Sequence, residues 1–204
     1  KIGVVDIYGN EALTAAVPEP SLVVDEPYAI PLTGKTAGSW VFVSFPSGTT
    51  GNIQTILNDA TAGDGQTTWS IAKWYNPQTP NDPWKTYRVG GTANDMPAIS
   101  NGMGFWIYLT ANDGDEVLTL NAYTATPAQT VINLYKGWNL VGYPSETGSL
   151  ASATLPVQAD RVSRWQAAAP YVQDFSDLSL VTMTHGNAYW VRVTADCTWT
   201  VDNP

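Results

Sequence analysis

Alternation of apolar and polar positions dominates the chain and predicts a mainly β protein. Residues 40–45 are apolar on both alternating faces, as expected of a strand that is covered on each side. The same pattern returns at residues 138–143. Further strands are predicted at 69–74, 84–89, 105–109 and 117–120 in the first half, and at 162–165, 171–175, 189–193 and 198–201 in the second.

Helical spacing is confined to two short segments. In the first half Ile53, Ile56 and Leu57 recur at the spacing of one helix face, and in the second half Leu150 and Ala153 do so ahead of Pro156. Each half is therefore predicted to contain one short helix.

The two halves share blocks of sequence in the same order. The matching blocks are SWVFVSFPS (39–47) with GWNLVGYPS (137–145), IAKW (71–74) with VSRW (162–165), and 96–111 with 180–195, the last without a gap. Ordered agreement of this kind indicates a tandem duplication. We predict a first β module over 30–126 and a second over 127–204. Each is expected to be a small, mostly antiparallel barrel or sandwich.

Composition and charge exclude several partners. Charged residues make up 13% of the chain and aromatics 11%, with nine Trp, which indicates a folded protein. The net charge of -9 repels polyphosphate and anionic lipid, so neither nucleic acid nor a membrane surface is an expected partner. No segment approaches the roughly 20 apolar residues of a membrane helix. Because the chain begins at Lys1 without a signal-like segment, we expect a mature or excised fragment.

Residues 137–145 and 189–199 (YWVRVTADCTW) carry a family resemblance. They resemble the tandem Trp-rich repeats of large archaeal cell-surface, S-layer-like proteins, and the resemblance covers about residues 30–201. The first copy departs from the pattern, with Ser39 where the second has Gly137. The resemblance implies an extracellular, modular protein and brings no catalytic residues. We therefore expect a non-catalytic structural or adhesive module, whose partners are neighbouring modules or identical subunits.

The N-terminal segment 1–29 has no counterpart in the repeat. Residues 4–10 (VVDIYGN) resemble the last hairpin of an immunoglobulin-like surface domain. Since a single hairpin cannot bury enough surface to be stable alone, two interpretations remain. The segment is the end of a preceding domain, or it pairs with a sheet edge of its own chain or of a neighbouring subunit, which would allow self-assembly.

Few residues offer chemistry. His185 is the only histidine and Cys197 the only cysteine, so multi-His and paired-Cys metal sites are excluded. His185-Gly186 aligns with Asn101-Gly102 ahead of a strand, which favours a turn with a positive φ at glycine over general-base work. Cys197 is predicted to be a buried, inert thiol. With no Gly-x-Ser-x-Gly elbow in the sequence either, an enzyme is not expected.

One acidic turn is a candidate for calcium. Asp113, Asp115 and Glu116 lie within a few residues of each other, and clusters of carboxylate oxygens can hold this ion. The spacing does not match an EF-hand, and a solvated hairpin turn is the favoured interpretation. No other cofactor is expected.

The nine tryptophans divide into two groups. Trp40, Trp74 and Trp106 align with Trp138, Trp165 and Trp190, which is what a shared core requires. Trp69, Trp84 and Trp199 have no obvious partner and are the better candidates for an exposed platform that stacks on sugar rings. A carbohydrate-binding module that uses loop aromatics is accordingly the alternative function.

Overall fold

The computed structural model describes residues 29–31, 37–44, 53, 69–110, 117–119, 128–166 and 169–203. In this part of the chain the predicted mainly β, antiparallel fold is confirmed. The strands are β1 (Ala29–Pro31), β2 (Trp40–Ser44), β3 (Trp69–Tyr75), β4 (Trp84–Arg88), β5 (Gly104–Leu109), β6 (Val117–Thr119), β7 (Gln129–Leu134), β8 (Gly137–Gly142), β9 (Ser149–Leu150), β10 (Ala159–Trp165), β11 (Val172–Phe175), β12 (Thr182–Met183), β13 (Ala188–Val193) and β14 (Cys197–Asp202).

The helical elements are short. Helix α1 (Ala151–Thr154) ends before Pro156, where the sequence predicts the end of a helix, and one 3-10 turn covers Leu178–Leu180. Of the helix predicted in the first half only Ile53 is described, and it is helical and buried. Within the described ranges no helix is long and apolar enough to cross a membrane.

Both halves contain a four-stranded antiparallel sheet with the same strand order. The first sheet runs β2-β5-β3-β4 and the second β8-β13-β10-β11, so that the aligned sequence blocks occupy corresponding strands. A two-stranded sheet accompanies each, β1 with β6 and β7 with β14, and β9 pairs with β12. The described strands form separate open sheets and not a closed barrel.

Each four-stranded sheet covers its own hydrophobic core with one face. In the first half Val41, Val43 and Phe105 point into a buried cluster that also contains Trp69. In the second half the strand pair β7–β14 packs over the sheet and contributes Trp199 to the core. The alternation of side chains along a strand leaves the opposite face of both sheets to be covered by something else.

Each module covers part of this second face of the other module's sheet. A third buried cluster contains Phe42 of the first module with Leu140 and Ala188 of the second. Phe42 and Leu140 are equivalent positions in the two aligned copies. The two modules therefore share an interface core besides the core that each has of its own.

Backbone hydrogen bonds across the interface follow an approximate two-fold relation. The Ser44 N–H donates to the Gly186 carbonyl at 3.0 Å, and the Gly142 N–H donates to the Gly102 carbonyl at 2.8 Å. Ser44 aligns with Gly142 and Gly102 with Gly186, so each module makes the same bond to the other. Both turn glycines have a positive φ, +72° and +76°, which confirms the predicted turns. The turns thus have a further role, because their carbonyls hold the modules together.

Candidate ligand-binding groove

Aromatic side chains surround the interface core. Phe42 stacks on Trp106 with ring centroids 4.4 Å apart, and Trp106 meets Trp165 of the second module edge to face at 5.3 Å. Trp165 in turn stacks on Tyr171 at 5.4 Å. Aromatic pairs in these arrangements contribute about 0.5–1.5 kcal/mol each beyond the area that they bury. The run of rings therefore helps to fix the two modules in one orientation.

A second run of rings crosses the interface beside the first. Trp190 of the second module meets Tyr75 at 5.1 Å and Trp84 at 5.9 Å, both edge to face. Tyr75 and Trp84 pair directly across β3 and β4. Trp84 is held by these contacts, yet 40% of its surface remains exposed. An exposed ring held in place by its neighbours can receive a ligand without first being ordered.

The two runs of rings border an open groove of about 470 Å³. Four indole rings and one ammonium line it: Trp40, Trp84, Trp106, Trp165 and Lys73. Trp165 comes from the second module and the other four from the first sheet. The groove exists only because the modules are docked. Its volume lies within the roughly 300–1,000 Å³ of small-molecule sites.

Lys73 is the charged group of the groove. Its strand register places it directly between Trp106 on one side and Thr86 on the other. The Lys73 ammonium lies 5.7 Å from the centre of the Trp40 ring, a cation–π contact. None of the ion pairs among the described residues includes Lys73.

On the corresponding face of the second module, the cations contact side chains of that module. Arg192 lies over the Trp138 ring at 5.9 Å and forms a two-point ion pair with Asp160, at 2.8 and 2.6 Å. Arg164, which aligns with Lys73, donates to the Gln173 amide oxygen at 2.8 Å and lies over a phenyl ring. The cations on this face thus have partners within their own module.

The Asp160–Arg192 ion pair leads to a prediction on pH. The Arg192 guanidinium lowers the pKa of Asp160 below its ordinary value of 3.8. A carboxylate with a lowered folded-state pKa stabilises the protein above pH of about 4 and loses that contribution as the pH falls through the folded-state value. We expect thermal stability to fall below pH of about 4. Asp160→Asn should lower stability at neutral pH and make the acid decline shallower, as measured by melting temperature against pH.

The matched control is Asp202→Asn, which removes an exposed carboxylate whose side-chain hydrogen bond comes from the neutral Gln129. Since both side chains of the Asp160–Arg192 pair are over a third exposed, solvent screens the pair and its effect is modest. An acid decline that is identical in Asp160→Asn and in the unmodified chain would contradict the assignment.

Of the three tryptophans that the sequence singles out for a sugar platform, only Trp84 lies in the groove. Trp69 and Trp199 are 2% and 1% exposed, so the expectation that they form an exposed platform is wrong. Each fills the core of its own module, where a large apolar ring replaces several smaller side chains.

The calcium candidates Asp113, Asp115 and Glu116 lie outside the described residues, as does all of segment 1–29 except Ala29. Inside the described ranges no cluster of three or more His, Cys, Asp or Glu residues could hold a metal ion.

Sequence reasoning missed Trp40, Trp106, Trp165 and Lys73 as groove residues. The duplicated tryptophans are expected in the core of each module, but in the structure they are half-buried. One sequence feature points to their position. Residues 40–45 are apolar on both faces, and a two-module protein must cover the second face with its other module.

His185 and Cys197 lie away from the groove. His185 precedes the turn glycine at the module interface, where burial lowers its pKa and the charge of Glu146 partly opposes this. Cys197 begins β14 and is half-buried, not fully buried as predicted; this partial burial, with a smaller effect of Asp196, raises the pKa of its thiol. A raised pKa keeps a thiol protonated and poorly nucleophilic.

A more polar cleft of about 280 Å³ lies at the same interface. Its lining includes Asn139, whose amide is already used locally. The Asn139 side chain accepts from the Tyr135 N–H at 2.9 Å and donates to the Tyr135 carbonyl at 2.7 Å. The Asn139 amide is therefore engaged within the turn between β7 and β8.

Comparison of the chain with protein-family models, with curated proteins and with solved structures finds no match.

Proposed function

We propose that the chain is a non-catalytic adhesive module of a secreted or cell-surface protein, and that it binds a glycan in the aromatic groove. The observation that carries the proposal is the lining of that groove, four indole rings and one ammonium. Both modules supply rings to it. A duplicated pair of modules would then be the minimal binding unit.

The lining suits a sugar better than a lipid chain. The face of an indole carries partial negative charge, and the C–H groups on one face of a pyranose ring carry partial positive charge. Stacking leaves the hydroxyl groups at the ring edge in water, which an open groove permits. A lipid chain would instead favour a closed, aliphatic pocket, whereas the residues here are indoles and a lysine.

Two features support a binding role without catalysis. Among the described residues, the groove lining includes no carboxylate, histidine or cysteine that could act as an acid, a base or a nucleophile. The histidine and the cysteine of the chain lie elsewhere, with pKa values shifted by burial. The resemblance of residues 137–145 to repeats of cell-surface proteins supports the extracellular location. Assembly through segment 1–29 stays a prediction.

The proposal predicts that Trp84→Ala weakens glycan binding about tenfold or more. Removing the ring deletes one stacking surface, and a loss of about 1.4 kcal/mol is tenfold in affinity. The measurement is a glycan array with the whole chain, followed by titration of each hit with tryptophan fluorescence as the signal. Rings that stack on a sugar should change their emission.

The matched control is Leu180→Ala, which removes an exposed apolar side chain that is 68% accessible and does not line the groove. This variant should bind as the unmodified chain does. If the array gives no hit, or if both variants lose affinity equally, the groove is not a glycan site. Melting temperatures of both variants check that each is folded.

A further inference from the structure

The groove combines flat apolar surfaces with a single positive charge. Its indole rings offer faces for stacking, and the Lys73 ammonium lies 5.7 Å from the centre of one of them, the Trp40 ring. A neutral glycan would stack on the rings and offer the ammonium only uncharged hydroxyl groups. A ligand that also carries an anionic group on the ring would use the ammonium.

The ion pairs of the neighbouring cations show which positive charges are already matched by a carboxylate and which are not. The first module has a second lysine on the neighbouring strand, Lys85, and it pairs with Asp82 at 2.9 Å and Asp95 at 3.3 Å. In the second module Arg161 and Arg192 pair with Asp174 and Asp160. Among the described residues Lys73 enters none of these ion pairs, and neither do Arg88, Lys136 and Arg164; of these four cations only Lys73 lines the groove.

A second cation lies on the same face. Arg88 is directly opposite Ile71 in the β3–β4 register, two residues along β4 from Thr86, which pairs with Lys73. Side chains two residues apart on a strand point to the same face. The sheet therefore presents Lys73 in the groove and Arg88 further along the same face, where a neighbouring unit of a polymer could extend.

From this arrangement we propose that the groove binds an acidic glycan, a chain of uronic acid units, with Lys73 holding a ring carboxylate while Trp84 and its neighbours stack on the sugar faces. The inference rests on the proposed function and names the substrate class of that site. Charge selects the class, because the contact of the ammonium with a carboxylate is charge-assisted and stronger than its hydrogen bonds to the neutral hydroxyl groups of a sugar. Single-stranded nucleic acid is also flat and anionic, with a charge on every unit, and the test therefore includes an oligothymidylate.

The test compares sugars that differ only in charge. Oligomers of galacturonate, glucuronate and mannuronate are titrated against the whole chain, each beside its methyl ester, which keeps the ring and removes the carboxylate. We expect at least one acid to bind about tenfold more tightly than its ester at low salt, as for a charge-assisted contact. The difference should shrink as salt is added.

Lys73→Met should abolish the preference for the acid, so that acid and ester bind alike. Lys136→Met is the matched control, since it removes one exposed positive charge outside the groove and changes the net charge of the chain equally. It should retain the preference. Because Lys73 is on a strand, the melting temperature of both variants is measured, and Lys73→Arg keeps the charge if Lys73→Met does not fold.

The outcomes separate the two proposals. If acid and ester bind equally and Lys73→Met has no effect, the acidic class is overturned while glycan binding stands. If neither uronates nor neutral glycans bind, the proposed function fails, and this inference fails with it. Tighter binding of an oligothymidylate or of a proline-rich peptide than of every uronate would also overturn it, because those chains stack on aromatic grooves without sugar faces.

Discussion

Gly142→Ala is expected to lower the free energy of unfolding by about 1–3 kcal/mol and to loosen the contact between the modules. A Cβ at this position would overlap the Cβ of Ser44 and lie 2.7 Å from its Oγ. Ser44 belongs to β2 of the other module and is fully buried, so it has no room to give way. The strands would have to separate, and with them the hydrogen bond from the Gly142 N–H to the Gly102 carbonyl.

The measurement is denaturant unfolding, together with hydrogen exchange at the interface amides of Ser44 and Gly142. Gly148→Ala is the matched control, because the nearest atoms to its added Cβ lie at 3.5 Å or more and its φ is not positive. It should change stability little. Exchange at Ser44 should rise in Gly142→Ala and not in the control.

A swap of the two equivalent residues tests the cause. In the double variant Ser44→Gly with Gly142→Ala, the Ser44 side chain is removed, and the Cβ added at position 142 occupies the space that it leaves. Most of the lost stability should return, apart from the hydrogen bond that the Ser44 hydroxyl donates to the Asn187 carbonyl at 2.8 Å. Additive losses in the double variant would show that the two residues do not meet.

The strands were predictable because a β-strand is encoded locally. Alternation and turn glycines give β2, β5, β8 and β13 with bounds that differ from the structure by at most one residue at either end. The internal alignment then assigns equivalent strands to both halves. Neither step depends on where the modules lie relative to each other.

The groove was not predictable by the same reasoning. Alignment shows that Trp106 and Trp190 are equivalent, and it does not show whether such a ring faces its own core or the other module. The sequence of β2 is apolar on both faces, and so gives no preference between them. Only the docking of the modules, through bonds such as that from Ser44 to Gly186, decides which rings border an open space.

Trp69 and Trp199 show why a residue without a counterpart can still belong to the core. Each core contains one fully buried indole ring, but the ring comes from a different strand. It is Trp69 on β3 in the first module and Trp199 on β14 in the second. Cores preserve total volume and apolar pattern more closely than the position of any one large side chain. The rule that core residues recur at aligned positions therefore fails for these two.

The second large effect is expected at Trp199. Trp199→Ala should lower the free energy of unfolding by about 3–5 kcal/mol, the usual cost of deleting a buried aromatic ring. The ring is 1% exposed and lies 6.2 Å from Tyr143, while its indole N–H donates to the Thr154 hydroxyl at 3.3 Å. It thereby connects β14, the end of β8 and helix α1, and its removal leaves a cavity at the centre of the second module.

Trp84→Ala is the same substitution at an unduplicated tryptophan that is 40% exposed, and it should cost less, about 1–3 kcal/mol, mainly from its contacts with Tyr75 and Trp190. The two variants therefore have opposite profiles: Trp199→Ala loses stability, and Trp84→Ala loses affinity for glycans. Denaturant unfolding and fluorescence titration on the same samples compare them, with Trp199→Phe as the variant that keeps most of the buried ring. If Trp199→Ala were as stable as Trp84→Ala, Trp199 would not be the centre of that core, and its place as an exposed platform would have to be considered again.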